Sequence, residues 1–325
     1  MKINNLMAKK LILSSFSCAL IVLTIFSFCA CKQSTDKVRV GTLYGPTSIA
    51  ASAMFDNKDE YSFTSLTDAS AIVSKLDAGD LDIALIPSNF AAELYNKEHN
   101  IKMVSIVNLC SVKVVSQDRS IKSSDDIHNQ KIYSTGETNV VGAIISMLSH
   151  SANYNPKDAN VIYKKTVEEV LSNVSSDPKA LGIVTQPQAS KTSRLDNDIY
   201  EVIDVTDEWH YAFGKENNPV TAVTVVSNKF LENNKDKLLK FLDDEKSSVK
   251  FANESPAETA YIINKLFKNT DTAYDATDVI NSKVVFYDGQ EMKRMTNEFF
   301  KMIYDYDPSF IGNIIPDDNF YYINE

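Results

Sequence analysis

The chain is poor in the residues that most often carry chemistry. Among 325 residues there are four histidines, His99, His128, His150 and His210, scattered and never at metal-ligand spacing. That argues against a metal site built from them. No Gly-x-Ser-x-Gly, Cys–His or paired-carboxylate constellation stands out, so nothing points to catalysis and no cofactor is expected. Glycine is scarce, nine in all, and Trp209 is the one tryptophan. Positive charge is the minority sign, 33 Lys and Arg against 43 Asp and Glu. An acidic surface repels nucleic acid, whose binding relies on neutralising phosphates. Of four cysteines, only Cys110 lies beyond residue 31.

What is present begins with an export signal. Lys2, Lys9 and Lys10 form a basic start, and residues 11–30 carry no charge. The stretch closes on Phe28-Cys29-Ala30-Cys31, a small residue at the cut before a cysteine. This ending resembles the bacterial lipoprotein lipobox, which implies lipidation of Cys31. The competing reading is a transmembrane anchor, since residues 11–30 are about long enough to span a bilayer. The polar run 31–37 that follows favours a tether instead. We therefore expect a signal peptide over 1–30, a tether over 31–37, and an exported protein lipid-anchored on the extracytoplasmic face of the cell membrane. Cleavage would leave 30 basic against 43 acidic residues, a net charge of −13. Anionic headgroups repel such a surface, so the lipid must hold it there. With Cys31 acylated no intrachain disulfide can form, and Cys110, in an apolar run, reads as a buried packing residue.

Beyond the tether, strand and helix alternate. Short apolar strands are expected at 38–40, 61–66 and 81–86, with helices over 47–55, 68–77 and 90–96, and a long apolar strand over 104–115. Residues 116–188 repeat that layout: a strand at 131–133, a turn over 134–138, a helix over 140–149, a strand at 161–164, a helix at 167–171 and a strand at 180–184. Another strand follows at 221–226. The chain is then mostly helical (229–247, 256–268, 275–282, 289–305) and ends in an aromatic tail. Alternation implies α/β lobes with parallel sheets covered on both faces. We expect lobe I over 38–110 plus 225–325 and lobe II over 111–224, joined by strands around Val112 and Val223. In open α/β sheets ligands bind beyond the carboxyl ends of the strands, where helix N-termini point.

An ordered series of short motifs then prompts recognition. It runs from Val38-Arg39-Val40-Gly41-Thr42 and Gly45-Pro46-Thr47 through Ile72-Val73-Ser74-Lys75-Leu76 and Gly79-Asp80-Leu81-Asp82-Ile83-Ala84 to Pro87-Ser88-Asn89 and Leu94-Tyr95-Asn96. It continues with Ser120-Ile121-Lys122-Ser123, Lys131-Ile132-Tyr133-Ser134-Thr135-Gly136, Gly182-Ile183-Val184 and the final Pro316-Asp317-Asp318-Asn319-Phe320-Tyr321-Tyr322. The series resembles the solute-binding proteins of ABC importers, in the branch handling nitrate, taurine, alkanesulfonates and pyrimidine precursors of thiamine. The resemblance implies a two-lobed type II periplasmic-binding fold, α/β, with two hinge strands and a ligand cleft between the lobes. It implies a monomer that captures a small molecule and delivers it to the permease and ATPase of an importer. Two departures stand out: Gln186-Pro187-Gln188 replaces the Pro-Glu-Pro or Glu-Pro turn often seen in relatives, and glycine is scarce. The alternative function is an enzyme on the same fold, such as a chorismate-dehydratase-like protein of menaquinone synthesis. An exported, anchored chain is badly placed to meet cytoplasmic chorismate.

The candidate ligand-binding residues are the polar ones at strand ends: Tyr44, Thr47, Ser88, Asn89, Thr135, Gly136, Glu137, Thr138, Gln186 and Gln188. Each could equally be a cap or turn residue, and we expect about half to touch ligand, since pockets use only a few placed polar groups. Trp209, Tyr211 and Phe213 read as edge packing, with stacking on a flat ligand as the functional reading. Helix N-termini favour an anion such as a sulfonate. No Arg or Lys falls in the turns, however, and Glu137 would repel one. An aminated heterocycle bonded by Asn89, Glu137 and the glutamines fits better.

Overall fold

Runs of β-branched residues between capped amphipathic helices build two mixed sheets. A computed structural model describes residues 37–127, 130–151, 160–196, 198–268 and 273–324. Cys31 and His128 lie outside the described residues. In the first sheet β1 (Val38–Leu43) pairs in parallel with β2 (Tyr61–Leu66) and β3 (Ile83–Pro87). β10 (Val220–Ser227) runs antiparallel between β3 and β4 (Ile101–Leu109), and β11 (Val284–Tyr287) closes the edge, giving the order β11-β4-β10-β3-β1-β2. The second sheet has the order β7-β6-β8-β5-β9. There β6 (Lys131–Thr135), β7 (Asn160–Lys164) and β8 (Leu181–Thr185) are parallel, and β5 (Val112–Ser116) is antiparallel to β8 and β9 (Tyr200–Asp204). Purely parallel sheets were the expectation. In each, one strand that belongs to a crossing between lobes, β10 or β5, arrives reversed, and in the first sheet the edge strand β11 is reversed as well.

The crossings correct two expectations. Residues 104–115 are two strands, β4 and β5, divided at Cys110-Ser111 where the backbone changes partners. There Gln186 N–H donates to Ser111 O at 2.9 Å and Thr206 Oγ1 to Cys110 O at 3.0 Å. Both strands are interior and apolar, so hydrophobicity carries no mark of the switch. The expected boundary at 224/225 falls inside β10, where Thr224 pairs with Leu85 on one side and Ser105 on the other. The chain returns to lobe I earlier, between Asp204 and Val220, after a helix over Val205–Phe213.

Helices sandwich both sheets. One face of the first sheet is covered by α1 (Pro46–Ala50), α9 (Lys235–Glu254), α10 (Pro256–Leu266) and α11 (Ala276–Asn281). The other face carries α2 (Ala69–Asp77), α3 (Ser88–Glu98) and α12 (Gly289–Tyr306). In lobe II, α5 (Val167–Ser176) and α6 (Gln188–Leu195) cover one face, and α4 (Val140–Ser149) and α7 (Val205–Phe213) the other. Side-chain caps start several of these helices, among them Asp68 for α2, Asn139 for α4, Thr166 for α5 and Asp204 for α7. Trp209 is fully buried against Phe213 and, at 5.9 Å between ring centroids, against Phe299 of α12. It packs lobe on lobe and is not free to stack on a ligand, while Tyr211 is 72% exposed. The aromatic tail lies on lobe I: Tyr322 N–H donates to Met103 O at 2.9 Å and Phe320 packs on Tyr95.

Candidate functional site

The carboxyl ends of β1, β3, β6 and β8 converge from both lobes on one seam. After β1 the chain turns at Gly45, whose φ of +111° is one that L side chains rarely adopt. A Cβ built there would lie 3.8 Å from Cδ of Pro187, in the turn after β8. After β3 comes Asn89, near the start of α3 and fully buried. Its Nδ2 donates to Thr138 O at 3.2 Å and its Oδ1 accepts the Val140 N–H at 3.1 Å. Both partners belong to lobe II, in the turn that leads from β6 into α4.

The first turn of α4 is closely built. Its leading N–H groups have no partner within the helix. Val140 gives its own to Asn89, while Asn139 Oδ1 accepts those of Val141 and Gly142 at 2.9 and 3.2 Å. The preceding turn lies over the helix so closely that a Cβ on Gly142 would sit 2.5 Å from Gly136 O. Only glycine permits that approach. On the opposite side, Asn89 Nδ2 also meets Glu93 Oε1 at 3.3 Å. Burial pushes the Glu93 carboxyl above the usual range, and the bond from Asn89 partly offsets this.

The ten candidate residues separate by what their side chains touch. Asn89 and Thr138 meet across the seam, and Tyr44 and Gly136 stand beside it, with Tyr44 half-buried edge-on to Phe267 at 4.2 Å. Thr135 and Gln188 are half-buried at the ends of their turns. Three others are engaged inside their own lobe. Thr47 Oγ1 accepts the Leu43 N–H at 2.9 Å and donates to Leu43 O at 2.8 Å. Ser88 Oγ donates to Val220 O at 2.5 Å. Gln186, fully buried, donates to Glu201 Oε1 at 3.0 Å and accepts from Ser190 N–H at 3.1 Å. Glu137 is exposed. Burial pushes the Tyr163 phenol up, and the Glu137 carboxylate adds to that rise.

Sequence reasoning missed Asn139, Gly142, Ser190 and Asp278. Asn139 was legible as a cap one residue before an apolar helix. Asp278 was legible as the end of a capping box opened by Asp275, though not as a residue that reaches the other lobe. Two hollows lie away from the turns. One, apolar and about 70 Å³, runs under α4 and α7 and is lined by Ile132, Ile145, Ile183 and Ile203 among others. The second, about 410 Å³, lies between α2 and α3. Among the described residues no group of His, Cys, Asp and Glu could hold a metal ion.

Comparison with known proteins places this architecture. No protein-family model matches the chain, and none of the curated proteins does. Solved structures do match. One described as an ABC transporter from Parabacteroides distasonis has a TM-score of 0.73 at 19% identity, over 89% of this chain and 99% of that one. The periplasmic aliphatic sulphonate binding protein SsuA from Escherichia coli has 0.66 at 11%, over 83% and 92%. The ligand-binding component of an ABC-type import system from Staphylococcus aureus, with zinc bound, has 0.64 at 14%, over 88% and 98%.

The fold is that of the type II periplasmic binding proteins. The turns described above face each other where the two lobes meet. Identity this low shows the fold alone; the solute does not follow from it.

Proposed function

We propose that the chain is an extracytoplasmic solute-binding protein that captures a small molecule between its lobes and delivers it to the permease and ATPase of an ABC importer. The observation that carries this reading is the meeting of four strand-end turns from two sheets at one seam, with the N-termini of α3 and α4 head to head across Asn89. Ligands of open α/β sheets bind at such ends. Among the described residues the chain crosses between sheets only at Cys110-Ser111 and in the stretch between Asp204 and Val220, an arrangement suited to hinge closure. The protein acts as a monomer and as a binder, not as an enzyme.

For the solute, a neutral or amine-bearing ring is favoured over an anion. The turns carry no Lys or Arg, and the first N–H groups of α4 already have amide oxygens for partners. Glu137 is a weaker support than its charge suggests, because its side chain is exposed. A thermal-shift screen over ring amines, pyrimidine precursors, sulfonates, nitrate and chorismate tests the reading. One solute should raise the melting temperature and be recovered unchanged. Turnover of chorismate would overthrow it.

The leader supports lipid anchoring at Cys31 on the extracytoplasmic face. Among the described residues no helix is long and apolar enough to cross a membrane. Cys31→Ser should abolish lipid labelling and leave an uncleaved precursor; unchanged labelling would refute the anchor.

A further inference from the structure

Another polar contact joins the lobes, and buried and half-buried side chains carry it. Asp278, the third residue of α11 in lobe I, is fully buried. Its Oδ1 accepts from Ser190 Oγ at 2.7 Å and its Oδ2 from Arg194 Nη2 at 2.6 Å, both from α6 of lobe II. Positions 190 and 194 are one helical turn apart, so one face of α6 presents both donors. Arg194 also reaches Asp275 Oδ2 through Nε at 2.8 Å and Ala273 O at 3.1 Å. Asp278 Oδ2 accepts the Asp275 N–H at 2.9 Å, which fixes the carboxylate within its own lobe. A buried carboxylate without partners is costly, so the lobe II donors stabilise the joined arrangement and parting must rehydrate the acid.

We propose that Asp278 is the acceptor of an interlobe latch, closed by Ser190 and Arg194, that holds the two lobes together through the chain's own bonds and so sets the open–closed balance of the clamp. A solute then enters only the fraction of molecules in which the latch has parted, and its apparent affinity is scaled by that fraction. The latch stands whatever the solute is, and its test uses none.

The Val140 N–H is the reporter. It belongs to the first turn of α4, has no partner in its own helix, and is held by Asn89 from the opposite lobe at 3.1 Å. Its hydrogen exchange therefore follows parting of the lobes, while the paired amides of β4 and β10 follow unfolding of lobe I. Exchange is measured on the full chain, resolved to Val140, for wild type and for the double variant Ser190→Ala, Arg194→Gln. We expect a protected Val140 in wild type and about tenfold faster exchange in the variant, with the β4 and β10 amides unchanged. Should the double variant also lose β4 and β10 protection, Ser190→Ala alone, which removes one hydroxyl, decides: Val140 exchange should rise about threefold. An unprotected Val140 in wild type, or an unchanged rate in the deciding variant, overturns the latch.

Discussion

Two of the contacts between the lobes, the one at Asn89 and the one at Asp278, are made of different materials. At the mouth of α4, neutral groups meet: a fully buried amide side chain takes a backbone N–H and gives to a backbone carbonyl. At α6 and α11 the contact is ionic, with the Arg194 side chain 36% exposed and Asp278 fully buried. On the proposed reading, the neutral contact occupies a helix N-terminus where a solute would be received, and a solute would replace it. The ionic one lies beside that place and can persist when solute is bound. On that reading one contact gives way to solute, while the proposed latch sets how easily the lobes part.

The largest effect we expect lies away from both contacts and calibrates them. Glu245 of α9 is fully buried beneath the first sheet, accepting from Ser105 Oγ and Thr224 Oγ1, each at 2.6 Å. Burial pushes its carboxyl up to about 7, with Asp288 adding to the rise. A folded value above the unfolded one means the group supports the fold fully below about pH 4.5, and that support is lost as pH rises through 7. Between pH 5 and 8 this amounts to on the order of 3 kcal/mol. Glu245→Gln should remove that slope and melt higher than wild type at pH 8. Equal slopes would show that seam carboxylates, not this one, govern the pH response.

Asn89→Ala comes next. It leaves the Val140 N–H and Thr138 O without partners and should cost the closed form about 1–3 kcal/mol, read as an enlarged radius of gyration. Asn89→Asp can still accept from Val140 at the positive end of α4, but it turns an oxygen toward Thr138 O and Glu93 Oε1 where Asn89 presents a donor, so its cost should match or exceed that of Asn89→Ala at neutral pH. A smaller cost for Asn89→Asp would mean that the donor contacts to Thr138 and Glu93 are idle.

Salt gives the smallest effect and the sharpest separation. Going from about 0.1 M to 1 M shortens the screening length from roughly 10 to 3 Å. The half-exposed Arg194 contact should weaken by about 1 kcal/mol or less. In the double variant Arg194→Gln, Lys283→Gln, which removes this pair and the Lys283–Asp204 ion pair that also joins the lobes at 3.1 Å, the same salt should leave Val140 exchange unchanged. A salt response there would refute the division into neutral and ionic contacts.

How much of this was legible follows from what periodicity can carry. The strand–helix alternation and the strand-end turns were readable because burial on one side imposes a period on the sequence. The division at Cys110-Ser111 was not, since an apolar run stays apolar when the strand changes sheets. Thr47, Ser88 and Gln186 were picked by residue type, and residue type does not tell a hydroxyl or amide turned inward from one turned to the seam. Arg194 and Asp278 lie more than eighty residues apart, and no local pattern announces their meeting.

The most direct measurement of the central claim is the thermal-shift screen followed by analysis of the recovered solute. A binding protein predicts one solute whose stabilisation grows as RT ln(1 + [L]/Kd), about 2.7 kcal/mol at a hundredfold excess over Kd, with that solute returned unchanged and the shift reduced in Gly142→Ala. A solute chemically converted, or a shift of full size in Gly142→Ala, would contradict the account of this seam as a solute-binding cleft.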